Sequence, residues 1–242
     1  MYWPRDLLPK RLPNARIFTW GYDVDIGRLF SSASGASIFH HAGTLLEDIA
    51  GARESLTEVT RPLVFVAHSL GGIVVKETLC TSRLARSHVN ATFSATVGVC
   101  FLGTPHRGSS TATLGKVAFE AASVFFKSPN LQVLRSLEKH SEQLGKIGWA
   151  FSQLMEGSRI QLHSFREELP TKGVMIVDVD SSSLGYPSET TSDIHANHTN
   201  MTRFVSVTDV GFNRIANVLR RWAQEKFCAS STFLILSLLP RS

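Results

Sequence analysis

The residues best placed to do chemistry in this chain lie in Ala67-His68-Ser69-Leu70-Gly71-Gly72. An apolar run, Leu63–Ala67, leads straight into the serine, and a helical pattern follows from Leu70 to about Cys80. A strand that turns sharply into a helix holds a serine in a strained conformation with its hydroxyl exposed. That turn needs small residues two before and two after the serine, so that strand and helix can nearly touch. Gly71 meets the requirement, and Ala67, one methyl group larger than the usual glycine, still reads as small. Ser69 is therefore the expected nucleophile. The Leu70 N–H, at a helix N-terminus, is an expected oxyanion donor. The bland reading is a chance serine in a plain strand–helix connection, and the Gly71-Gly72 pair argues against it.

A serine nucleophile needs a base within hydrogen-bond reach and an acid that orients the base. Behind a strand–elbow–helix serine they follow in the order acid, then histidine. Of nine histidines, only His195 and His198 lie late enough. For the acid, Glu167, with Glu168 beside it, follows the apolar run Ile160–Phe165, while Asp178 and Asp180 end the next run and rival it. Each of these carboxylates alone reads equally well as a solvated loop charge. Gly103-Thr104-Pro105-His106 follows another apolar run, so Thr104 and His106 should line the mouth of the site. His68, next to the nucleophile, reads as a packing and hydrogen-bonding residue of the pocket. Asp23 reads as structural.

These residues need a scaffold that brings loops together. The chain has 242 residues, 43% hydrophobic and 19% charged, which is an ordinary single-domain composition and excludes collagen-like, disordered and coiled-coil classes. Apolar runs at Ile17–Tyr22, Leu63–Ala67, Val97–Leu102, Ile160–Phe165 and Val174–Val179 predict strands. Helical periodicity marks Thr44–Val59, Leu131–Leu154 and a segment around Ile215–Trp222. The alternation predicts an α/β fold, a mostly parallel sheet flanked by helices, with ligands beyond the carboxyl ends of the strands. Leu114–Phe126 reads as an apolar helix, either core packing or a lid. The last apolar run, Phe233–Pro240, is too short to cross a bilayer, which takes about 20 residues. Charges at Arg5, Asp6, Lys10 and Arg11 argue against a signal peptide. Three cysteines without a CxxC pair argue against a disulfide framework or zinc site and for a reducing, intracellular compartment. No metal or cofactor is expected, because no His/Cys cluster has ligand spacing. The net charge of +5 is scattered, which argues against nucleic acid and leaves room for peripheral association with anionic membranes.

At this level of detail the sequence resembles the α/β-hydrolase fold and, within it, the lipase-like family of serine-active-site-containing proteins. That family is related to the GPI inositol-deacylase and to fungal NACHT-associated hydrolase modules. The resemblance is carried by Trp3-Pro-Arg-Asp-Leu-Leu-Pro9, Arg16-Ile-Phe-Thr-Trp-Gly-Tyr-Asp23, Arg61-Pro62, His68-Ser-Leu-Gly-Gly-Ile-Val-Val-Lys76, Phe101-Leu-Gly-Thr-Pro-His-Arg-Gly-Ser109, Ser164-Phe-Arg-Glu167 and Asn197-His198. It spans the chain to about Phe204 and implies His198 as the base, Glu167 as the acid and His106 as a pocket residue. It further implies an ester hydrolase acting on small-molecule or lipid esters, and it sets a mitochondrial or endoplasmic-reticulum location beside the cytoplasmic one. The alternatives are a catalytically impaired interaction module, or an acyltransferase using the same nucleophile.

The family also carries, ahead of the Trp3-Pro4 motif, a strand ending in a His-Gly-rich loop that supplies the second oxyanion donor. This sequence opens at Met1-Tyr2-Trp3 and reads as N-terminally truncated relative to the family. A gap in the sheet, an exposed edge and weak turnover are the expected consequences. Residues 1–229 are read as the hydrolase-like domain and 230–242 as an atypical tail without a family counterpart.

Overall fold

Six extended segments join in one sheet, each paired in parallel with its neighbours: β1 (Ala15–Thr19), β2 (Leu63–His68), β3 (Thr96–Leu102), β4 (Gln161–Glu167), β5 (Glu189–Ile194) and β6 (Phe233–Leu238). Their order across the sheet is β1-β6-β2-β3-β4-β5. The computed structural model describes residues 1–21, 36–106, 131–171, 173, 175–226 and 232–239. Asp23, Arg107 and the 114–126 stretch lie outside them.

The described helices are α1 (Trp3–Asp6), α2 (Leu8–Arg11), α3 (Ala36–Gly51), α4 (Leu56–Val59), α5 (Leu70–Leu84), α6 (Asn90–Ala95), α7 (Leu131–Met155) and α8 (Val210–Lys226). On one sheet face, Phe212, Ile215, Leu219 and Trp222 of α8 pack with Trp3, Leu7 and Leu8 against Val64, Val66, Cys100 and Leu102. On the other, Val74, Val75 and Leu79 of α5 and Phe151 and Met155 of α7 cover Phe65, Ala67, Val99 and Phe101. This is the expected α/β architecture. A strand buried on both faces reads as a continuous apolar run, which is why β2 and β3 are legible in the sequence.

The segment Phe233–Leu238 does not trail the sheet; it enters its interior. β6 lies between β1 and β2, with Ile17 opposite Ile235 and Leu238 opposite Ala67. Phe233, Ile235 and Leu239 enter one core cluster, and Leu234, Leu236 and Leu238 the other. The expected gap in the sheet is not seen, because β6 joins β1 to β2. This placement takes both faces of a segment that is apolar throughout except at Ser237 out of water.

One other expectation is corrected. The Val174–Val179 run supplies no strand over its described residues. Ile176 and Val177 are buried, but the Val177 N–H is spent on the Glu167 carboxylate at 2.8 Å instead of on a ladder. The strand after β4 is instead Glu189–Ile194, a polar edge strand without apolar periodicity. Side chains tie it to β4: Arg166 forks onto Asp193 at 2.6 and 3.1 Å. The two ring nitrogens of His163 meet Thr190 Oγ1 and Ser192 Oγ at 2.7 and 2.8 Å.

Candidate functional site

All strands point the same way, so their carboxyl ends share one rim of the sheet, and the singled-out residues converge there. Ser69 follows the last residue of β2, Thr104 lies two past β3, Glu167 ends β4, and His198 lies four past β5.

At the elbow Ser69 has φ +53° and ψ −126°, and it is the one non-glycine residue with positive φ among those described. Such a conformation costs on the order of 1–3 kcal/mol and persists only where the surroundings over-determine it. They do so here. The Ser69 N–H donates to the Leu102 carbonyl at 2.9 Å, and the Ser69 carbonyl accepts from the Gly72 N–H at 3.0 Å and from Thr104 Oγ1 at 3.2 Å. Gly72 is required by this arrangement, because a Cβ there would stand 2.2 Å from Thr104 Oγ1. Ala67 is fully buried, so the alanine in place of glycine is accommodated. The Leu70 N–H belongs to the first residue of α5 and has no acceptor within the helix.

His198 Nε2 lies 3.0 Å from Ser69 Oγ, and its Nδ1 lies 3.3 Å from Glu167 Oε2. Both side chains are wholly enclosed. Among the described residues neither Nδ1 nor Oε2 has a hydrogen-bond partner, and the two face each other across 3.3 Å; such contacts are commonly long before substrate binds. The second carboxylate oxygen accepts from the Val177 N–H, which fixes the rotation of the Glu167 head. The arrangement can take a proton from a serine hydroxyl and hold the resulting imidazolium against a carboxylate.

The rival residues lie elsewhere. Asp178 is exposed and its Oδ1 accepts from the Ser181 N–H at 2.7 Å, closing a turn. Asp180 is exposed. His195 is exposed and pairs with Glu168 at 2.8 Å. His106 is buried against the Phe101 ring, with Nε2 3.2 Å from Ser164 Oγ. The contact with Ser164 anchors its loop to β4. His68 is buried beside His198, and burial, with the neighbouring His198, pushes its ring down to about 3.

The sequence placed Gly103 in the loop at the mouth of the site without a role of its own, and it gave Lys76 none. Gly103 has φ +53°, and a Cβ there would stand 3.0 Å from His198 Nδ1 and 2.8 Å from Met201 Sδ. Only glycine lets this loop pass so close to the imidazole, and the signal available was a glycine directly after an apolar run. Lys76, on α5, is fully buried, with its ammonium 5.8 Å from the centroids of both the Phe101 and Phe151 rings. Burial pushes it down to about 7, against the attraction of Glu189.

No family model matches the sequence. Among curated proteins, SERAC1 of Bos taurus is 30% identical over 208 residues, which is 83% of this chain and 30% of that protein. SERAC1 of Mus musculus and of Homo sapiens are each 28% identical over the same shares. The chain is thus a distant homologue of SERAC1 and spans about 30% of the length of these relatives. No described helix is long and apolar enough to cross a membrane.

Proposed function

We propose that this chain is a serine hydrolase that cleaves carboxylic esters through Ser69, His198 and Glu167, with the Leu70 N–H binding the oxyanion. One observation carries the reading: an enclosed line of contacts, 3.3 and 3.0 Å, runs from Glu167 through His198 to a serine in a strained elbow. At rest the Ser69 hydroxyl donates to Nε2 and the Nδ1–H faces the carboxylate. As Oγ attacks the ester carbonyl, its proton passes to Nε2, and the imidazolium is stabilised by Glu167 in a site where low polarisability strengthens the attraction. The carbonyl oxygen takes up negative charge beside the Leu70 N–H. Return of the proton to the alkoxide expels the alcohol and leaves acyl-Ser69. Water then attacks with His198 again as base, releasing the acid and restoring the serine. Lipid esters are the substrate class to which the family resemblance points, and an alcohol in place of water makes the same residues an acyltransferase.

The second reading, an interaction module that keeps the elbow without turnover, is supported by a narrower observation. Among the described residues Leu70 is the only amide we assign to the oxyanion, and loss of one donor typically costs about 100- to 1000-fold. A fluorophosphonate probe tests the first reading. It should label the intact chain at Ser69, and Ser69→Ala should abolish labelling without unfolding the protein. Undiminished labelling of that variant removes Ser69 from the mechanism. Labelling without turnover of short p-nitrophenyl esters decides for the module.

A further inference from the structure

The residue preceding the nucleophile is a buried histidine for which proton transfer has no use. His68 Nε2 lies 2.9 Å from the backbone carbonyl of His198, and the two imidazole rings sit 4.8 Å apart, tilted by 42°. We propose that His68 is a positioning residue for the base: its Nε2–H donates to the His198 carbonyl and its ring packs against the His198 ring, so that the elbow itself holds the base over the serine. This rests on the reading of Ser69 and His198 as nucleophile and base.

The chemistry of the contact is unambiguous. A carbonyl oxygen only accepts, so Nε2 carries the hydrogen, and the neutral ring must be the Nε2–H tautomer. Burial keeps that ring neutral far below the ordinary histidine range, so the donor is uncharged wherever His198 works as a base. A second positive ring beside the imidazolium of His198 would oppose proton transfer; a neutral donor does not.

The need for such a tether follows from where His198 sits. It lies past the end of β5, outside regular structure, and its neighbours are held from other directions. The Ala196 carbonyl accepts from the Leu169 N–H at 3.2 Å, and the Asn197 carbonyl accepts from the Asn200 and Met201 N–H groups at 3.1 and 2.9 Å. These bonds shape the loop but do not refer it to the nucleophile. The His68 bond does, because residues 68 and 69 share a peptide bond. Their Cα atoms are thereby held about 3.8 Å apart. One residue of the elbow grips the backbone of His198 and the next meets its ring, so both the position and the tilt of the imidazole are set from the nucleophile's own strand. His68 is not itself a rival base, since its Nε2 proton is committed to that carbonyl.

The test compares His68→Phe, which keeps a ring but has no donor, with His68→Gln, whose amide nitrogen replaces Nε2. The readout is fluorophosphonate inactivation of Ser69, resolved into the limiting rate and the half-saturating probe concentration, with melting temperatures alongside. His68→Phe should lower the limiting rate about 10- to 100-fold, the loss expected when a reacting group is misplaced by about 1 Å, with little change in half-saturation. His68→Gln should restore most of it. Independently of any variant, ¹⁵N spectra of the wild-type histidines should show His68 as the Nε2–H tautomer. An unaltered limiting rate in His68→Phe, equal losses in both variants, or an Nδ1–H tautomer each overturns the assignment. If the phenylalanine variant does not fold, the tautomer and the glutamine variant decide. A wild-type chain that resists labelling at Ser69 defeats the catalytic reading itself, whereas a labelled wild type with an indifferent His68→Phe defeats only the positioning role.

Discussion

Replacing Glu167 by glutamine changes one atom in the line from carboxylate to serine, and the structure dictates which way the new amide must face. Glu167 Oε1 accepts the buried Val177 N–H at 2.8 Å. Turning the amide NH₂ toward that N–H would leave a buried donor unsatisfied, at about 1–3 kcal/mol, so the glutamine carbonyl stays there. The NH₂ then occupies the place of Oε2, 3.3 Å from His198 Nδ1, and can only donate. His198 is driven to the tautomer with its hydrogen on Nε2, which points at Ser69 Oγ and cannot accept its proton. In serine proteases the equivalent neutral replacement costs about 10⁴-fold in turnover, or about 5 kcal/mol of barrier. A loss of about 10³- to 10⁴-fold is expected here, with the melting temperature nearly unchanged because the side chain is isosteric. The assay is ester turnover and fluorophosphonate labelling rate for Glu167→Gln beside Asp178→Asn and Asp180→Asn. The two aspartates are exposed, and their variants should stay within about threefold of wild type. A glutamine variant that keeps more than about a tenth of the wild-type rate refutes the argument. So does a loss of comparable size in Asp178→Asn.

Three further outcomes follow from the packing. Leu236→Ala in β6 should cost about 2–5 kcal/mol in denaturant titration, as for any leucine enclosed in a core; a negligible loss would mean that β6 is not part of the cooperative unit. Gly103→Ala should slow Ser69 labelling more than it lowers the melting temperature. Its positive φ is strained for alanine, and the added methyl would press on His198 Nδ1 from 3.0 Å; unchanged labelling would contradict the geometry. Lys76→Met should raise stability at neutral pH by about 1–4 kcal/mol, since a buried charge is replaced by an apolar chain of similar length. The Lys76 ammonium is pushed from 10.5 to about 7, so the unfolded chain binds the extra proton between those values. Wild-type stability therefore rises with pH across that window, and the advantage of the methionine variant should be full below about pH 7 and gone above about 10.5. A pH-independent difference would show that burial of the charge is not its cause.

Local patterns were enough to read the strand–elbow–helix from the sequence, because everything it needs lies within about fifteen residues: an apolar run, small neighbours around Ser69, and a helical period. Chain order together with the family resemblance pointed to His198. Choosing among the carboxylates was beyond any local pattern, since Glu167, Asp178 and Asp180 all follow apolar runs. The choice turns on which side chain is enclosed against His198 Nδ1 once β4 and β5 are side by side. β5 itself was hidden because an edge strand closed by Arg166–Asp193 and His163 contacts needs no apolar period. Gly103 was legible as part of the loop at the mouth of the site, but why it must be glycine showed only once the imidazole lay against it. The largest difference concerns Phe233–Leu238. Its composition says only that both faces must leave water. That it does so between β1 and β2, directly beside the strand that carries the nucleophile, is a long-range pairing, set by which parallel neighbours and which two helical layers were there to receive it.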